Sequence, residues 1–392
     1  MSLPINHRVL HVDLTERSVW TEQPDETFYR RFVGGRGMIA HQLLTAVPPD
    51  ADPLGPENQL VFALGPLTGI AFPGNARFSV GAKSPLTGLY GEAEAGGFWP
   101  AELKRAGWDG IVVEGRATGP VYVWIHDDQV EIRDARHLWG KITGDAEDAI
   151  RAELGERRAR IAQIGPAGEN LVRYACIMND LNEAAGRTGL GAVMGSKRLK
   201  AIAVRGTQVV QPVAGTLFKE TARQVAANLS SDYLSLHTYG TGVALEAGKH
   251  REGHLIVHNF RDGRMETVRN IDANAIHDNV LEKMDACYAC SVRCKKRVRI
   301  ENGASVDPRY GGPEYEAIGA LGSNLAVDDL VALCKSNELC NAYGLDAIST
   351  GGAIGWAMEL YEVGLLTDED TGGEPLRWGS GEDVLRLVDQ IT

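Results

Sequence analysis

Three cysteines stand close together in the segment Cys287-Tyr-Ala-Cys290-Ser-Val-Arg-Cys294. Gaps of two and three residues let thiolates converge on one side of a compact loop, as the ligands of an iron–sulfur cube do. A fourth ligand is then needed. Zinc accepts similar spacing, but structural zinc sites usually add a second Cys or His pair nearby, and none follows here. The spacing favours iron–sulfur over zinc and over unliganded cysteines.

Basic residues surround the cysteine motif at Arg293, Lys295, Lys296 and Arg297. Their positive charge would offset an anionic cluster and could raise its reduction potential, although ordinary solvated cations would give the same sequence. Two further cysteines, Cys334 and Cys340, fall on different faces of a predicted helix, so we expect them to be buried core thiols instead of ligands to a shared metal.

Glycine-rich turns occur at Gly34–Gly37, at Gly96-Gly97 and over Gly186–Lys197. Backbone amides in such turns can surround a phosphate group, but the turns can equally serve the fold alone. The third turn matches neither the dinucleotide-binding fingerprint nor the P-loop.

Two glutamates, Glu314 and Glu316, follow Gly312-Pro313 at the start of a helix-like run. In a dry pocket the pKa of a carboxyl group rises toward neutrality, which suits a general acid or base. The alternative is a negative charge placed at a helix start, where the helix dipole favours it.

The elements that must position these residues change character along the chain. Up to Gly206 most apolar runs are short and bounded by glycine or proline, which predicts two hairpins, Val9–Leu14 with Ser18–Trp20 and Pro120–Ile125 with Gln129–Ile132. Further predicted strands are Leu60–Leu64, Phe78–Ala82, Gly110–Val113, Ile161–Ile164 and Ala201–Val204. Helices are predicted over Gly37–Leu44, Pro100–Ala106 and Asp145–Leu154, the last capped by Thr143 and ended by Gly155.

After Gly206 apolar residues recur every three or four positions, the pattern of amphipathic helices. Helices are predicted over Leu217–Leu229, Asp328–Ala342 and Thr350–Val363, and again from about Gly381. We therefore predict an α+β protein with a β-rich N-terminal domain (1–207) and a mainly α-helical domain (208–392) that carries the cysteine motif.

Composition excludes several classes of function. A formal net charge of −12 without a basic face argues against nucleic acid as a partner. No apolar stretch approaches the roughly 20 residues that span a bilayer. The N-terminus lacks a basic segment followed by an apolar run, and clustered thiols suit a reducing compartment, so we expect a cytoplasmic protein.

Taken together, seven segments in order resemble the aldehyde ferredoxin oxidoreductase family. They are Gly34–Gly37, Gly74–Phe78, Gly96–Phe98, Gly186–Lys197, Cys287–Cys294, Gly312–Glu316 and Cys340–Asp346. The resemblance implies a β-rich domain that holds a tungsten or molybdenum bis-pterin. It also implies oxidation of an aldehyde to a carboxylic acid, with electrons passing through a [4Fe-4S] cluster to ferredoxin or to an iron–sulfur partner subunit.

The resemblance also implies roles for individual residues. Cys287, Cys290 and Cys294 are similar to three of the four cluster ligands, and Arg77 to the arginine between cluster and pterin. Glu316, or alternatively Glu314, is similar to the acid/base glutamate beside the metal. Other residues occupy positions that contact the pterin, its phosphates or their magnesium ion in the family: Glu94, Gly96, Ala184, Gly186, Arg187, Asn341, Gly344, Leu345 and Asp346. Asn341 departs from the family pattern, which often has Asp there. Where this chain has Glu94 and Glu183-Ala184, some relatives have Asn and Arg-Ala.

The family's last domain carries the fourth cluster cysteine, a second pterin motif and a histidine, and we expect it to be absent from this chain. A separate C-terminal chain or a second copy of this one are then the partners to consider. The competing hypotheses are a non-catalytic iron–sulfur electron-transfer or assembly subunit, an inactive fragment of such an enzyme, and a zinc-stabilised scaffold.

Overall fold

The structure is a computed structural model that describes residues 4–210, 215–243, 245–302 and 304–392. The described residues form two compact units. The first contains the described residues up to Leu229 together with Cys287–Ser291 and Ala342–Leu345, and the second contains the remainder. The helix that opens the C-terminal half thus belongs largely to the first unit, and the predicted division after residue 207 stays a prediction.

In the described part of the first unit, the strands form two six-stranded mixed sheets. The first sheet has the order β2-β1-β6-β3-β4-β5, in which β1 and β6 are parallel and the other neighbours antiparallel. Its strands are β1 (Val9–Asp13), β2 (Ser18–Glu22), β3 (Leu60–Leu64), β4 (Phe78–Lys83), β5 (Tyr90–Ala95) and β6 (Gly110–Glu114).

The second sheet has the order β11-β10-β9-β12-β7-β8, with β12 and β7 parallel and the other neighbours antiparallel. Its strands are β7 (Val121–His126), β8 (Gln129–Asp134), β9 (Arg160–Gln163), β10 (Ile177–Asn179), β11 (Glu183–Ala185) and β12 (Leu199–Arg205). The predicted hairpins and the five further predicted strands are confirmed, whereas β5, β10 and β11 were not predicted.

Helices of the first unit lie between or after these strands. They are α1 (Glu26–Phe32), α2 (Gly35–Ala46), α3 (Trp99–Arg105), α4 (Thr143–Leu154), α5 (Pro166–Glu169), α6 (Leu190–Ser196) and α7 (Gly215–Asp232). The expected cap of α4 is wrong, because the helix already begins at Thr143 and Ile142 occupies the capping position without a side-chain hydrogen bond. Gly155 ends α4 in the left-handed conformation, as predicted.

The core of the first unit lies between the two sheets. Strand residues alternate in direction, so Leu60, Phe62 and Leu64 of β3 join this core while Val61 and Ala63 pack with α2 on the outer face. The rings of Phe78 and Trp99 are 4.9 Å apart within it. On the second sheet the outer face packs with α4 through Ile150. Helix, two sheets and helix therefore form four layers, with α2 packed on the outer face of the first sheet.

The second unit is mainly helical, which confirms the predicted fold class. Its helices are α8 (Leu234–Tyr239), α9 (Ala273–Asn279), α10 (Tyr315–Ala317), α11 (Leu330–Tyr343), α12 (Ala347–Glu362) and α13 (Gly381–Ile391). A hairpin of β13 (Leu281–Asp285) and β14 (Lys295–Val298) flanks the cysteine motif in sequence. Cys334 and Cys340 are fully buried, as expected of core thiols. Among the described residues, no helix combines the length and apolar character needed to cross a bilayer.

Candidate functional site

A cavity of about 380 Å³ opens in the first unit at the start of α2. The lining residues come from the junction of α1 with α2, from β3 and the turn after it, from β4 and the segment before it, and from β5. They are Val33, Gly34, Gly35, Arg36, Ala63, Gly65, Pro66, Leu67, Thr68, Asn75, Arg77, Phe78, Ser79 and Glu94. Two residues singled out by the family resemblance, Arg77 and Glu94, therefore share one concave surface with the first glycine-rich turn.

Glycines allow α2 to begin beside this cavity. Gly34 has φ 125°, and a Cβ atom on it would lie 2.5 Å from the carbonyl oxygen of Leu64. A Cβ on Gly37 would lie 2.2 Å from the carbonyl oxygen of Phe32, so neither residue can carry a side chain without moving backbone. Gly34 gives α2 no side-chain cap, so the amides of the first helical turn, apart from that of Gly37, which donates to the carbonyl oxygen of Gly34, are suited to an anionic ligand.

Two arginines and one carboxylate set the charge of the cavity. Arg36 Nη2 lies 2.7 Å from Glu94 Oε1, and Arg77 Nε lies 3.5 Å from Glu94 Oε2. Partial burial acts to raise the pKa of Glu94, but the hydrogen bond and charge of Arg36 and the charge of Arg77 outweigh it, and the pKa is lowered. Glu94 is therefore ionised at neutral pH. Both guanidinium groups remain more than half exposed and can meet an anion.

The cysteine loop, Cys287–Ser291, contacts the segment Gly96–Phe98 that follows β5. A Cβ atom on Gly96 would lie 2.7 Å from Cys287 Sγ and 3.7 Å from the carbonyl oxygen of Ala76. The thiol of Cys287 also lies 3.4 Å from Glu183 Oε1, to which it can donate a hydrogen bond. Cys287 thus lies against the residue that follows β5, two positions after Glu94, and Ala76, the residue before Arg77, approaches the same point.

Backbone and ring contacts hold this cysteine loop in the first unit. The amide of Tyr288 donates to the carbonyl oxygen of Gly97 at 3.1 Å, and the ring of Tyr288 packs edge-on against Phe98. The amide of Cys290 donates to the carbonyl oxygen of Cys287, which makes the loop a tight turn. Cys294 belongs to the second unit. In the described parts of the chain, no three His, Cys, Asp or Glu side chains are grouped around a single metal ion.

Polar side chains of β10 and the turn after it fix the Gly96–Phe98 segment from the other side. Asn179 Nδ2 donates to the carbonyl oxygen of Gly96 at 2.9 Å, and Asp180 Oδ2 accepts the amide of Phe98 at 2.6 Å. Arg160 binds the second oxygen of Asp180 at 2.8 Å and covers the ring of Phe98. Sequence reasoning missed Asn179 and Asp180 because they lie at the end of β10, an unpredicted strand, and the role of Arg160 depends on its approach to Asp180.

The long glycine run Gly186–Lys197 serves packing. Cβ atoms on Gly189, Gly191 and Gly195 would lie 2.0, 2.4 and 1.9 Å from backbone oxygens of other segments. These glycines let α6 lie against the neighbouring chain without side chains between them. Ala184 and Arg187 are exposed on β11 and just after it. Their cofactor contacts, and that of Gly186, stay predictions.

The segment from Asn341 to Asp346 is divided between the two units. Gly344, with φ 73°, accepts the amide of Cys176 through its carbonyl oxygen at 2.8 Å, and Leu345 forms a bridge with Ala175. In the second unit, Asn341 Nδ2 donates to the carbonyl oxygen of Tyr310, and Asp346 caps α12 by accepting the amides of Ile348 and Ser349. Each residue thus has a structural partner besides any cofactor.

The two candidate acid/base glutamates differ in surroundings. Glu316 is exposed in the described second unit. Glu314 is half-buried and accepts a hydrogen bond from Thr241 Oγ1, while its other oxygen lies 3.8 Å from Lys296 Nζ. Burial lowers the pKa of Lys296 and the charge of Glu314 opposes that effect. The predicted proton-transfer role of either glutamate stays a prediction.

Comparison with known proteins identifies the class. Residues 9–206 match the model of the aldehyde ferredoxin oxidoreductase N-terminal domain, and residues 217–392 match that of domains 2 and 3 of the same proteins. The chain belongs to the aldehyde ferredoxin oxidoreductase family.

Individual relatives support the family assignment. The tungsten-containing aldehyde ferredoxin oxidoreductase of Thermococcus kodakarensis is 44% identical over 388 residues, which cover 98% of this chain and 63% of the relative. That of Pyrococcus furiosus is 42% identical with the same coverage. The solved active site complex BamBC of benzoyl coenzyme A reductase, in complex with 1,5-dienoyl-CoA, superimposes with a TM-score of 0.86 at 31% identity over all of this chain and 61% of its own. The chain spans 63% of the length of these curated relatives.

Proposed function

We propose that the protein oxidises an aldehyde to a carboxylic acid with a tungsten or molybdenum bis-pterin and passes the electrons through a [4Fe-4S] cluster to ferredoxin or to an iron–sulfur partner subunit. The segment Glu94–Gly97 carries the proposal, because it borders the cavity through Glu94 and contacts Cys287 through Gly96. A pterin in the cavity and a cluster on Cys287 would both border this short segment, and Arg77, Glu94 and Gly96 would be the residues nearest to them.

The residues of the cavity fit an anionic cofactor. Arg36 and Arg77 present exposed guanidinium groups, and the uncapped first turn of α2 presents amides. Glu94, held ionised between the two arginines, could share a magnesium ion with a phosphate. When bound, the tungsten or molybdenum pterin supplies two-electron redox chemistry.

The chain's own residues would bind, orient and exchange protons. Cys287, Cys290 and Cys294 would hold the cluster as three of its four ligands. Glu316 is free of the ion pair that occupies Glu314 and can exchange a proton with water, so we assign proton transfer to Glu316 first. Gly344, Leu345 and Asp346 would contact the pterin from the start of α12. Clustered thiols that must stay reduced favour the cytoplasm as the location.

The test is an anaerobic preparation of the chain, alone and with any protein that co-purifies, from cells supplied with tungstate or molybdate. We expect iron, sulfide, pterin and one of the two metals, a paramagnetic cluster signal after dithionite reduction, and aldehyde-dependent reduction of a viologen dye. Iron and sulfide without pterin would replace the proposal by an electron-transfer or assembly role. About one zinc in a colourless protein would replace it by a scaffold.

Cysteine variants show whether the metal content reports the proposed ligands. Cys287→Ser, Cys290→Ser and Cys294→Ser should each lose most of the bound iron. The matched control is Cys334→Ser, because this cysteine is buried in α11 and is no proposed ligand. It should keep the iron even if it lowers stability. Equal iron in all four variants would contradict the proposed ligand set.

A further inference from the structure

A lysine is buried next to the third cysteine of the motif. Lys296 follows Cys294 by two residues on β14, and only 1% of its side chain is exposed. Nζ donates to the carbonyl oxygen of Thr241 at 3.1 Å. Burying an ammonium group costs free energy unless the group is hydrogen-bonded and paired with an opposite charge. We therefore expect Lys296 to have a charged partner and its charge to have a role near Cys294.

Gly240 brings the ammonium group and the backbone of Cys294 together. A Cβ atom on Gly240 would lie 2.6 Å from Lys296 Nζ and 2.8 Å from the carbonyl oxygen of Cys294. Both groups therefore surround the position that a side chain of residue 240 would occupy. Gly240 has φ 69°, which other residues adopt with strain.

Glu314 is the partner of this lysine. One carboxylate oxygen of Glu314 lies 3.8 Å from Nζ, and the other accepts the hydroxyl hydrogen of Thr241. Thr241 Oγ1 in turn accepts the amide of Tyr315 at 2.8 Å. The lysine and the glutamate are thus held in one hydrogen-bonded cluster that ends at the start of α10.

We propose that Lys296 is a fixed buried cation that raises the reduction potential of the cluster bound through Cys294, with Glu314 as its counterion. The inference rests on the proposed function, because it needs the cluster to be present. A charge in the low-dielectric interior is screened far less than one in water, so this cation stabilises an added electron more than exposed neighbours do. Charge near the cluster is one of the features that set its potential.

Two variants that should shift the reduction potential in opposite directions test the role of Lys296. Lys296→Gln removes the cation and should shift the one-electron reduction equilibrium toward the oxidised cluster by about tenfold, which is about 59 mV more negative. Glu314→Gln removes the counterion and should shift the potential in the positive direction. A dye-mediated redox titration followed by the paramagnetic signal of the reduced cluster measures both changes without any turnover.

Lys283→Gln is the matched control, because Lys283 is an exposed lysine on the neighbouring strand β13. It should change the equilibrium by less than about twofold. If Lys296→Gln and Lys283→Gln give the same shift, or if Glu314→Gln leaves the potential unchanged, the inference is wrong. If Lys296→Gln fails to fold, the reduction potential of Glu314→Gln still tests the inference. Wild-type protein without iron would instead overturn the proposed function.

Discussion

Gly96 and Cys287 are so close that no side chain fits at residue 96: a Cβ atom there would lie 2.7 Å from Cys287 Sγ. Glu183 Oε2 would lie 3.3 Å from the same Cβ atom, so the Cys287 thiol has little room to move toward Glu183. Gly96 therefore acts through its size, by letting the cysteine loop lie against the end of β5.

Gly96→Ala should displace the Cys287 thiol. We expect a loss of about 1–3 kcal/mol in unfolding free energy from overpacking, together with a clear loss of bound iron. Urea unfolding and iron analysis measure the two effects. Gly119→Ala is the control, since a Cβ on Gly119 meets nothing within 4 Å. Unchanged iron in the Gly96 variant would show that the contact does not position a ligand.

Arg77→Gln should weaken cofactor binding at the cavity. Loss of one charge-assisted hydrogen bond to an anion costs about 1.5–3 kcal/mol, which corresponds to roughly tenfold or more in affinity. The measurement is the tungsten or molybdenum content per chain after dialysis. Arg30→Gln serves as the comparison, because Arg30 is an exposed arginine that pairs with Glu26 and lies outside the cavity. A full complement of metal in the Arg77 variant would argue against the assigned contact.

Glu147 should make stability depend on pH. Burial raises the pKa of this carboxyl group from 4.5 to about 7, with Arg151 opposing the shift and Asp180 adding to it. Between these two values the unfolded chain releases a proton that the folded chain keeps, so unfolding free energy falls as pH rises from 4.5 to 7. The contribution is on the order of 3 kcal/mol, since each unit of difference between the folded and unfolded pKa corresponds to about 1.4 kcal/mol.

Glu147→Gln removes this titration. The decline in urea midpoint between pH 5 and pH 8 should become shallower in Glu147→Gln and stay unchanged in Glu220→Gln, a variant of an exposed glutamate on α7. An unaltered slope in the Glu147 variant would mean that the buried carboxyl group does not titrate in this range.

Asp346→Ala separates the cap of α12 from cofactor binding. Asp346 accepts the amides of Ile348 and Ser349 at 3.2 Å, and the loss of such a cap costs roughly 1 kcal/mol. Asp346→Asn keeps most of the cap, because an asparagine oxygen can accept the same amides. If Asp346→Asn retains stability and yet binds less pterin, the residue also contacts the cofactor; equal pterin in both variants would leave the cap as its role.

Sequence reasoning succeeded where local pattern and burial agree. Strand β3 is apolar at every position and β12 contains the apolar run Ala201–Val204, because both faces of each strand are covered. Helices α11 and α12 show apolar residues at helical intervals. Strand β5 escaped prediction because Tyr90-Gly-Glu-Ala-Glu-Ala has little strand propensity, and its pairing with β4 decides its conformation. The exposure of Glu316 could not be predicted either, because the burial of a side chain depends on residues that are distant in sequence and close in space.

The sequence by itself determined the cysteine spacing, most of the strands, the longer helices and the family, because these depend on neighbouring residues and on motifs read along the chain. Only the tertiary structure brought Gly96 to Cys287, Arg36 and Arg77 to Glu94, and Lys296 to Glu314. These residues are far apart in sequence, and their approach depends on which strands pair and which glycines allow backbones to touch. Burial and neighbouring charge then decide how each group titrates and what it can bind.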